Sequence, residues 1–419
     1  MIHLGQWQNQ KITLSLKNNS LTLSRESKSG TAVFSWDLAG RLWTAMVDNI
    51  SYRRGLDGKL IAKWISPTQE RGRRWCSAEE SQQIIGYAQS FADDLLTAFH
   101  MGKIEIQPPE NPDLTAALTS AANFTWLQSL HDAARYAQAY KPVGILPPDQ
   151  YMAVVLQAAE GCSFNTCTFC DFYKSRPFHI KTPQEFSDHA LAVREYLGKG
   201  LSLRRTIFLG DANALVIPMK RLVPLLEITH KTYAVEKLGG IFAFLDGFSG
   251  EKKTAADYQT LAQMQLKRVY IGVETGSDEL LRSLKKPGSA ADAVHTVAAL
   301  KQAGISVGVI FLLGVGGKKF AAQHVRETIR MINSMHLDLE DIIYFSELVE
   351  HEGMEYTQSA YTHNYGLLDA AERAAQAEEI PPPCSSPKAA VSLISAVMIS
   401  ASLSIELPVA PGPYKSTAS

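Results

Sequence analysis

The chain has 419 residues, 46% of them hydrophobic and 20% charged, which excludes an intrinsically disordered polypeptide and suits two or three domains of ~150 residues. A formal net charge of −1 excludes any overall electrostatic pull toward nucleic acid or an acidic membrane. The opening MIHLGQWQNQK has neither a basic nor an apolar leader segment, and five cysteines, three of them clustered, do not suit a secreted disulfide framework, so a reducing cytoplasm is expected.

Residues 1 to about 65 read as β-rich. In KITLSLKNNSLTLS apolar and polar positions alternate on both sides of KNNS, which predicts a hairpin, and AVFSWDL and KLIAKWI continue the pattern. RGRRW at 71–75 sets positive charge beside an indole and reads most simply as a solvated basic loop. Ser77 with Glu80 predicts a capping box ahead of a helix in QQIIGYAQSFADDLLTAF. One more helical stretch, LTSAANFTWLQSLHDAARYAQAY, leads to the linker KPVGILPPDQ. Residues 1–145 thus form an α+β extension with no chemistry that can be named.

From 146 to 350 short apolar strands alternate with amphipathic helices. YMAVVLQAA is followed by the cysteine run and by a helix opened by Thr182-Pro183 with Glu185 as its capping-box partner. The strands RTIFLG, GIFAFLD, RVYIGVE, ISVGVIFLLG and DIIYFSE follow, with helices between them. Such an alternation predicts a parallel sheet of βαβ units, curled into a barrel or left open, with its functional face at the C-terminal strand ends. Residues 351–419 read as a helical segment and a Pro/Ser/Ala-rich tail. Within the tail, Ala389 to Ile405 leans apolar, but serines dilute it, Glu406 closes it, and it falls short of the ~20 residues of a spanning helix.

The run EGCSFNTCTFCDFY places Cys162, Cys167 and Cys170 in a Cys-x4-Cys-x2-Cys pattern just after the first strand of the series. A disulfide clasp does not suit a reducing compartment. Structural zinc needs a fourth ligand, for which only His179, Asp171, Cys76 or Cys384 could serve. A thioredoxin-like pair, Cys167 with Cys170, leaves Cys162 without a role. An iron–sulfur cluster favours thiolate ligands, and three of them fix three irons of a cubane while leaving the fourth open.

GCSFNTCTFC, with Phe169 before the last cysteine, resembles the radical S-adenosylmethionine (SAM) superfamily, with one more residue in the first gap than its commonest Cys-x3-Cys-x2-Cys spacing. The resemblance extends to the later strand ends and is nearest to Elongator-, methylthiotransferase- and coproporphyrinogen-oxidase-like cores. It implies an α/β fold, a partial (β/α)6 TIM-type barrel carrying the β-rich and helical N-terminal extension. It also implies a [4Fe–4S] cluster held by Cys162, Cys167 and Cys170, with SAM on the open iron. By the same resemblance Gly210, Asp211 and Asn213 are candidates for the methionyl amino group. Glu274, Thr275 and Ser277 are candidates for the ribose or carboxylate, and Gly308, Ile310 and Gly314 for the border of the adenine.

The implied reaction is reductive cleavage of SAM to methionine and a 5′-deoxyadenosyl radical, which abstracts hydrogen from a small-molecule substrate. An external one-electron donor, flavodoxin- or ferredoxin-like, is implied with it. No nucleic acid or membrane partner is indicated. Only Cys76 and Cys384 remain outside the cluster, which argues against an auxiliary cluster and so against methylthiotransferase and SPASM-type enzymes. No Asp-x-His-x-x-Gly signal for cobalamin is present. Tyr173, Arg176, Tyr344, Glu347 and His351 are candidates to line the substrate space, and no catalytic residue can be named. The alternative is a non-catalytic iron–sulfur or zinc-binding protein.

Overall fold

The computed structural model describes residues 1–27, 30–66, 71–246, 248, 253–380 and 394–395. Eight consecutive antiparallel strands, from Ile2–Trp7 to Arg71–Trp75, form a meander, and Glu105–Gln107 adds a ninth beside the first. The KNNS hairpin forms as its alternation predicts, with Leu16 opposite Leu21 and Leu14 opposite Leu23. Leu14, Leu23 and Phe34 are fully buried under the helix Ala78–His100, and each contributes roughly 1.5–3 kcal/mol by leaving water.

Three local expectations are corrected. RGRRW is the edge strand of this sheet, not a loop, because Trp75 pairs with Ile61 and Arg73 with Lys63. Only half of the Ser77 capping box forms: Ser77 accepts from the Glu80 amide at 3.2 Å, but the Glu80 carboxylate turns to Arg74. The single helical stretch divides into Pro112–Ala122 and Trp126–Ala139, because Thr125 caps a new helix by accepting from the Gln128 amide.

The core is a parallel sheet of six strands in sequence order: Ala153–Gln157, Thr206–Gly210, Ile241–Leu245, Leu266–Glu274, Ser306–Leu313 and Ile342–Glu347. Every residue of the first strand is buried, as expected when both faces of a parallel sheet are covered. The sheet forms the predicted partial TIM-type barrel, and Phe208, Phe244 and Tyr270 pack ring on ring inside it. Asp149, just before the first strand, accepts from the hydroxyls of Tyr270 (2.5 Å) and Tyr344 (2.6 Å). A two-residue strand, Ile394–Ser395, pairs in parallel with the sixth; the rest of the predicted tail, including Cys384 and most of 389–405, lies outside the described residues. Among the described residues no helix is long and apolar enough to cross a membrane.

The N-terminal sheet is bolted to the core by charge. Arg41 and Arg54 both bind the buried Asp132, at 2.7 and 3.1 Å, and Arg41 also donates to the carbonyls of Leu197 (3.0 Å) and Tyr196 at the end of the core helix Pro183–Leu197.

Candidate functional site

The C-terminal ends of the six strands open onto a cavity of about 670 Å³, within the ~300–1,000 Å³ usual for small-molecule sites. The loop after the first strand brings Cys162, Cys167 and Cys170 to its wall as free thiols. Several ties hold that loop. Ala159–Glu160 pairs with His179–Ile180, Asn165 donates its amide to the Tyr173 carbonyl at 2.8 Å, and the Thr168 N–H donates to the Leu284 carbonyl at 3.0 Å. Gly161 has φ +76°, and a Cβ there would lie 2.9 Å from the carbonyls of Arg176 and Pro177, so only glycine fits. Burial pushes the Cys170 thiol up to about 12 and raises that of Cys167, with Lys286 opposing the rise.

The wall opposite in chemistry is charged. Glu274 ends the fourth strand with φ +67°, a left-handed conformation that costs a non-glycine residue free energy and often marks a functional position. Its carboxylate lies 3.1 Å from the Lys286 Nζ, both side chains being about nine-tenths buried. Lys286 also sits 5.9 and 5.5 Å from the ring centres of Phe169 and Phe248. Burial works against its charge, but Glu274, Cys167 and Asp246 outweigh burial and hold its pKa above the ordinary lysine value. Asn213 joins the lining from the turn after the second strand. Its Oδ1 accepts from the Asp246 amide at 3.4 Å, while its Nδ2 is buried and, among the described residues, has no hydrogen-bond partner.

The predicted site residues divide into two groups. Cys162, Cys167, Cys170, Phe169, Asn213, Glu274 and Ile310 line the cavity. The other six are not among its lining residues, and each has a packing role. Asp211 binds Arg176 at 2.7 Å and accepts from the Gly161 amide at 3.3 Å; burial raises its pKa and Arg176 opposes that. The carbonyl of Gly210 accepts from the Ala158 amide. Thr275 bonds His324 at 2.8 Å, and Ser277 caps the helix Asp278–Ser283. Gly308 leaves room for the Tyr270 ring, which a Cβ would meet at 2.4 Å. Gly314, at φ +84°, donates to Gln376 at 2.8 Å.

Of the residues suggested for the substrate space, Tyr173, Glu347 and His351 reach the cavity, with His351 3.0 Å from Asp171. Arg176 and Tyr344 are held elsewhere, by Asp211 and Asp149. Lys286 and Asp246 escaped the sequence reading. The lysine pair and turn in KKPG was the only local sign of Lys286. The N-terminal sheet reaches the cavity too, through Ile61, Arg73, Arg74 and Trp75.

Residues 156–332 match the family model of the Radical SAM superfamily. No curated protein matches the chain. Similar solved structures include the cobalamin-dependent S-adenosylmethionine radical enzyme OxsB with aqua-cobalamin bound (TM-score 0.37, 13% identity, 73% of this chain and 36% of that one). Methylornithine synthase (PylB) aligns with a TM-score of 0.36 and 18% identity over 55% of this chain and 62% of its own. Coproporphyrinogen III oxidase (HemN) from Escherichia coli gives 0.41 and 12% over 59% and 54%. The chain thus spans less than two thirds of the length of each.

Proposed function

We propose, from the premise that this chain carries a radical SAM domain and is an enzyme of that class, that Cys162, Cys167 and Cys170 hold the three protein-ligated irons of a single [4Fe–4S] cluster. The observation that carries this is the meeting, in one cavity at the strand ends, of three free thiols, a buried Glu274–Lys286 pair and an Asn213 amide that has no partner among the described residues. Among the described residues no three His, Cys, Asp or Glu side chains are arranged to hold a single metal ion. A cluster takes each thiolate on a different iron, and three cysteines supply three of the four irons of a cubane.

When bound, the cluster supplies the electron that cleaves SAM and yields the 5′-deoxyadenosyl radical, which takes hydrogen from the substrate. The protein's part is to bind, orient and exclude water. Lys286 presents its ammonium to the SAM carboxylate, Asn213 offers its free Nδ2, and Glu274 accepts from the ribose hydroxyls. Phe169 and Ile310 give the adenine an apolar border. Residues 146–350 carry this chemistry, residues 1–145 and 351–419 flank it, and the electron comes from a flavodoxin- or ferredoxin-like donor in a reducing cytoplasm.

The test is anaerobic reconstitution followed by reduction with dithionite. The wild type is expected to hold about four irons and four sulfides per chain, to change its electron paramagnetic resonance spectrum on adding SAM, and to release 5′-deoxyadenosine. Cys162→Ala, Cys167→Ala and Cys170→Ala each lose the cluster. Native protein carrying stoichiometric zinc and no iron, or a cluster indifferent to SAM, would overturn the proposal in favour of a non-catalytic metal protein.

A further inference from the structure

The last two strands of the N-terminal meander, Leu60–Ile65 and Arg71–Trp75, put Ile61, Arg73, Arg74 and Trp75 into the wall of the cysteine-lined cavity. Their register sets Ile61 opposite Trp75 and Lys63 opposite Arg73. Alternate side chains of a strand share a face, so these four lie on one side of the sheet. Arg53, paired with Ile61 from the next strand, lies on the same side, its guanidinium over the Tyr151 ring at 5.8 Å.

Three cations are therefore crowded together, and among the described residues none of them has a carboxylate partner on this face of the sheet. Like charges directly opposite each other on neighbouring strands are destabilising. Lys63 registers this: burial lowers its pKa, and Arg53 and Arg73 lower it further. Burial likewise lowers that of Arg73, with Tyr151 and Glu347 opposing.

The nearby acids are already engaged. Arg74 is matched by Glu80 at 2.5 Å, and Glu347 is taken by the Arg373 Nε at 3.2 Å. Burial pushes Glu350 up toward its neutral form, with Arg373 opposing. Arg73 is left as a half-buried guanidinium which, among the described residues, has no hydrogen bond or ion pair. An arginine kept in this state at a cavity wall, against the sheet's own electrostatic interest, calls for an anion from outside the chain.

We propose that Arg73, backed by Lys63 and Arg53 and flanked by Trp75, is the receptor for an anionic group of the substrate. This rests on reading the cavity as the site of radical chemistry, and it names the substrate class: an organic molecule bearing a carboxylate or phosphate. The planar guanidinium fork matches either anion in two-point contact. The skeleton packs on Trp75 and Ile61, while the carbon that yields hydrogen points toward the cysteine end. The N-terminal sheet is then a specificity element of the enzyme.

Reconstituted protein with SAM bound is titrated calorimetrically with inorganic phosphate and, separately, with acetate, and its melting temperature is recorded with each. The wild type is expected to bind at least one of them and to melt higher in its presence. A phosphate-only response assigns a phosphorylated substrate, and an acetate-only response a carboxylic acid. Arg73→Gln should weaken binding about tenfold or more, the effect of losing a charge-assisted contact. Arg73→Lys should fall between the two, and Lys63→Gln should raise the melting temperature of the anion-free protein. Failure of both anions to bind, or equal binding by Arg73→Gln, overturns the proposal. Dithionite-driven 5′-deoxyadenosine release is measured in the wild type without substrate. If the wild type releases none yet binds anion through Arg73, the radical reading fails and the anion receptor stands.

Discussion

The Glu274–Lys286 pair gives the most exacting test of the site's electrostatics. Its charged atoms are 3.1 Å apart, with side chains 10% and 9% exposed. At an effective dielectric constant near 20 their attraction is about 5 kcal/mol, most of it offset by the desolvation of both ions. The net worth of the intact pair is therefore small, but removing one partner strands a buried charge and costs about 3–5 kcal/mol. Lys286→Met is expected to lose that much, because the buried Glu274 carboxylate then loses the ammonium it pairs with. Glu274→Gln should lose less, since Lys286 can shed its proton and still face Asp246. The double variant Lys286→Met with Glu274→Gln should recover most of the loss, leaving a coupling energy of about 2–4 kcal/mol. Urea unfolding of the metal-free protein at neutral pH, followed by circular dichroism, measures all four corners of the cycle. Additivity within about 0.5 kcal/mol would refute the claim that the two side chains form one buried unit.

Two further outcomes follow from particular residues. His189 accepts from the Gln157 amide at 2.9 Å, bonds the Ala139 carbonyl at 3.0 Å, and is held down to about 4 by burial; between that value and an unfolded value of about 6.5 the unfolded chain binds the extra proton, so stability falls with falling pH by about 1.4 kcal/mol per unit. Denaturation of wild type and His189→Gln at several pH values across this window should show a slope flatter by that amount in the variant, and equal slopes would refute it; the carboxyls of Asp37 and Asp211, buried, and of Asp57, half-buried, all raised chiefly by burial, slope oppositely but cancel in the comparison. Gly161→Ala should cost at least about 1–2 kcal/mol from the left-handed backbone alone, and, by moving the cysteine loop, should lower iron uptake on reconstitution; full iron content in the variant would show that the loop adjusts.

The barrel was legible because its signals are local and repetitive. The core strands are apolar runs with helices between them, and Thr182 with Glu185 forms the capping box that the sequence predicts. The cysteine spacing was equally plain. What escaped was whatever depends on two distant segments meeting. Thr275, Ser277 and Asp211 carry polar groups at strand ends, as a ligand site would, but their partners His324, Gln323 and Arg176 come from elsewhere in the chain and turn them to packing. Lys286 was hidden for the reverse reason: nothing in KKPG shows that its ammonium will be buried against Glu274. RGRRW read as a loop because its strand pairing depends on KLIAKWI, and its place at the cavity depends on how the sheet docks on the barrel.

The longer first gap of the cysteine motif now has a physical account in the same terms. Asn165 lies in that gap with φ +55°, a conformation asparagine tolerates better than most residues. Its amide binds the Tyr173 carbonyl, and Thr166 and Thr168 then reach the carbonyls of Lys285 and Leu284, at 3.2 and 3.0 Å. The segment they grasp is the one that carries Lys286. The gap therefore fastens Cys167 to the backbone beside the buried lysine, close enough for the Lys286 charge to oppose the rise in the Cys167 pKa. The proposed cluster ligand Cys167 and the ammonium proposed to meet SAM are thus positioned by one set of hydrogen bonds, so shortening the gap should disturb both together and not the cysteine alone.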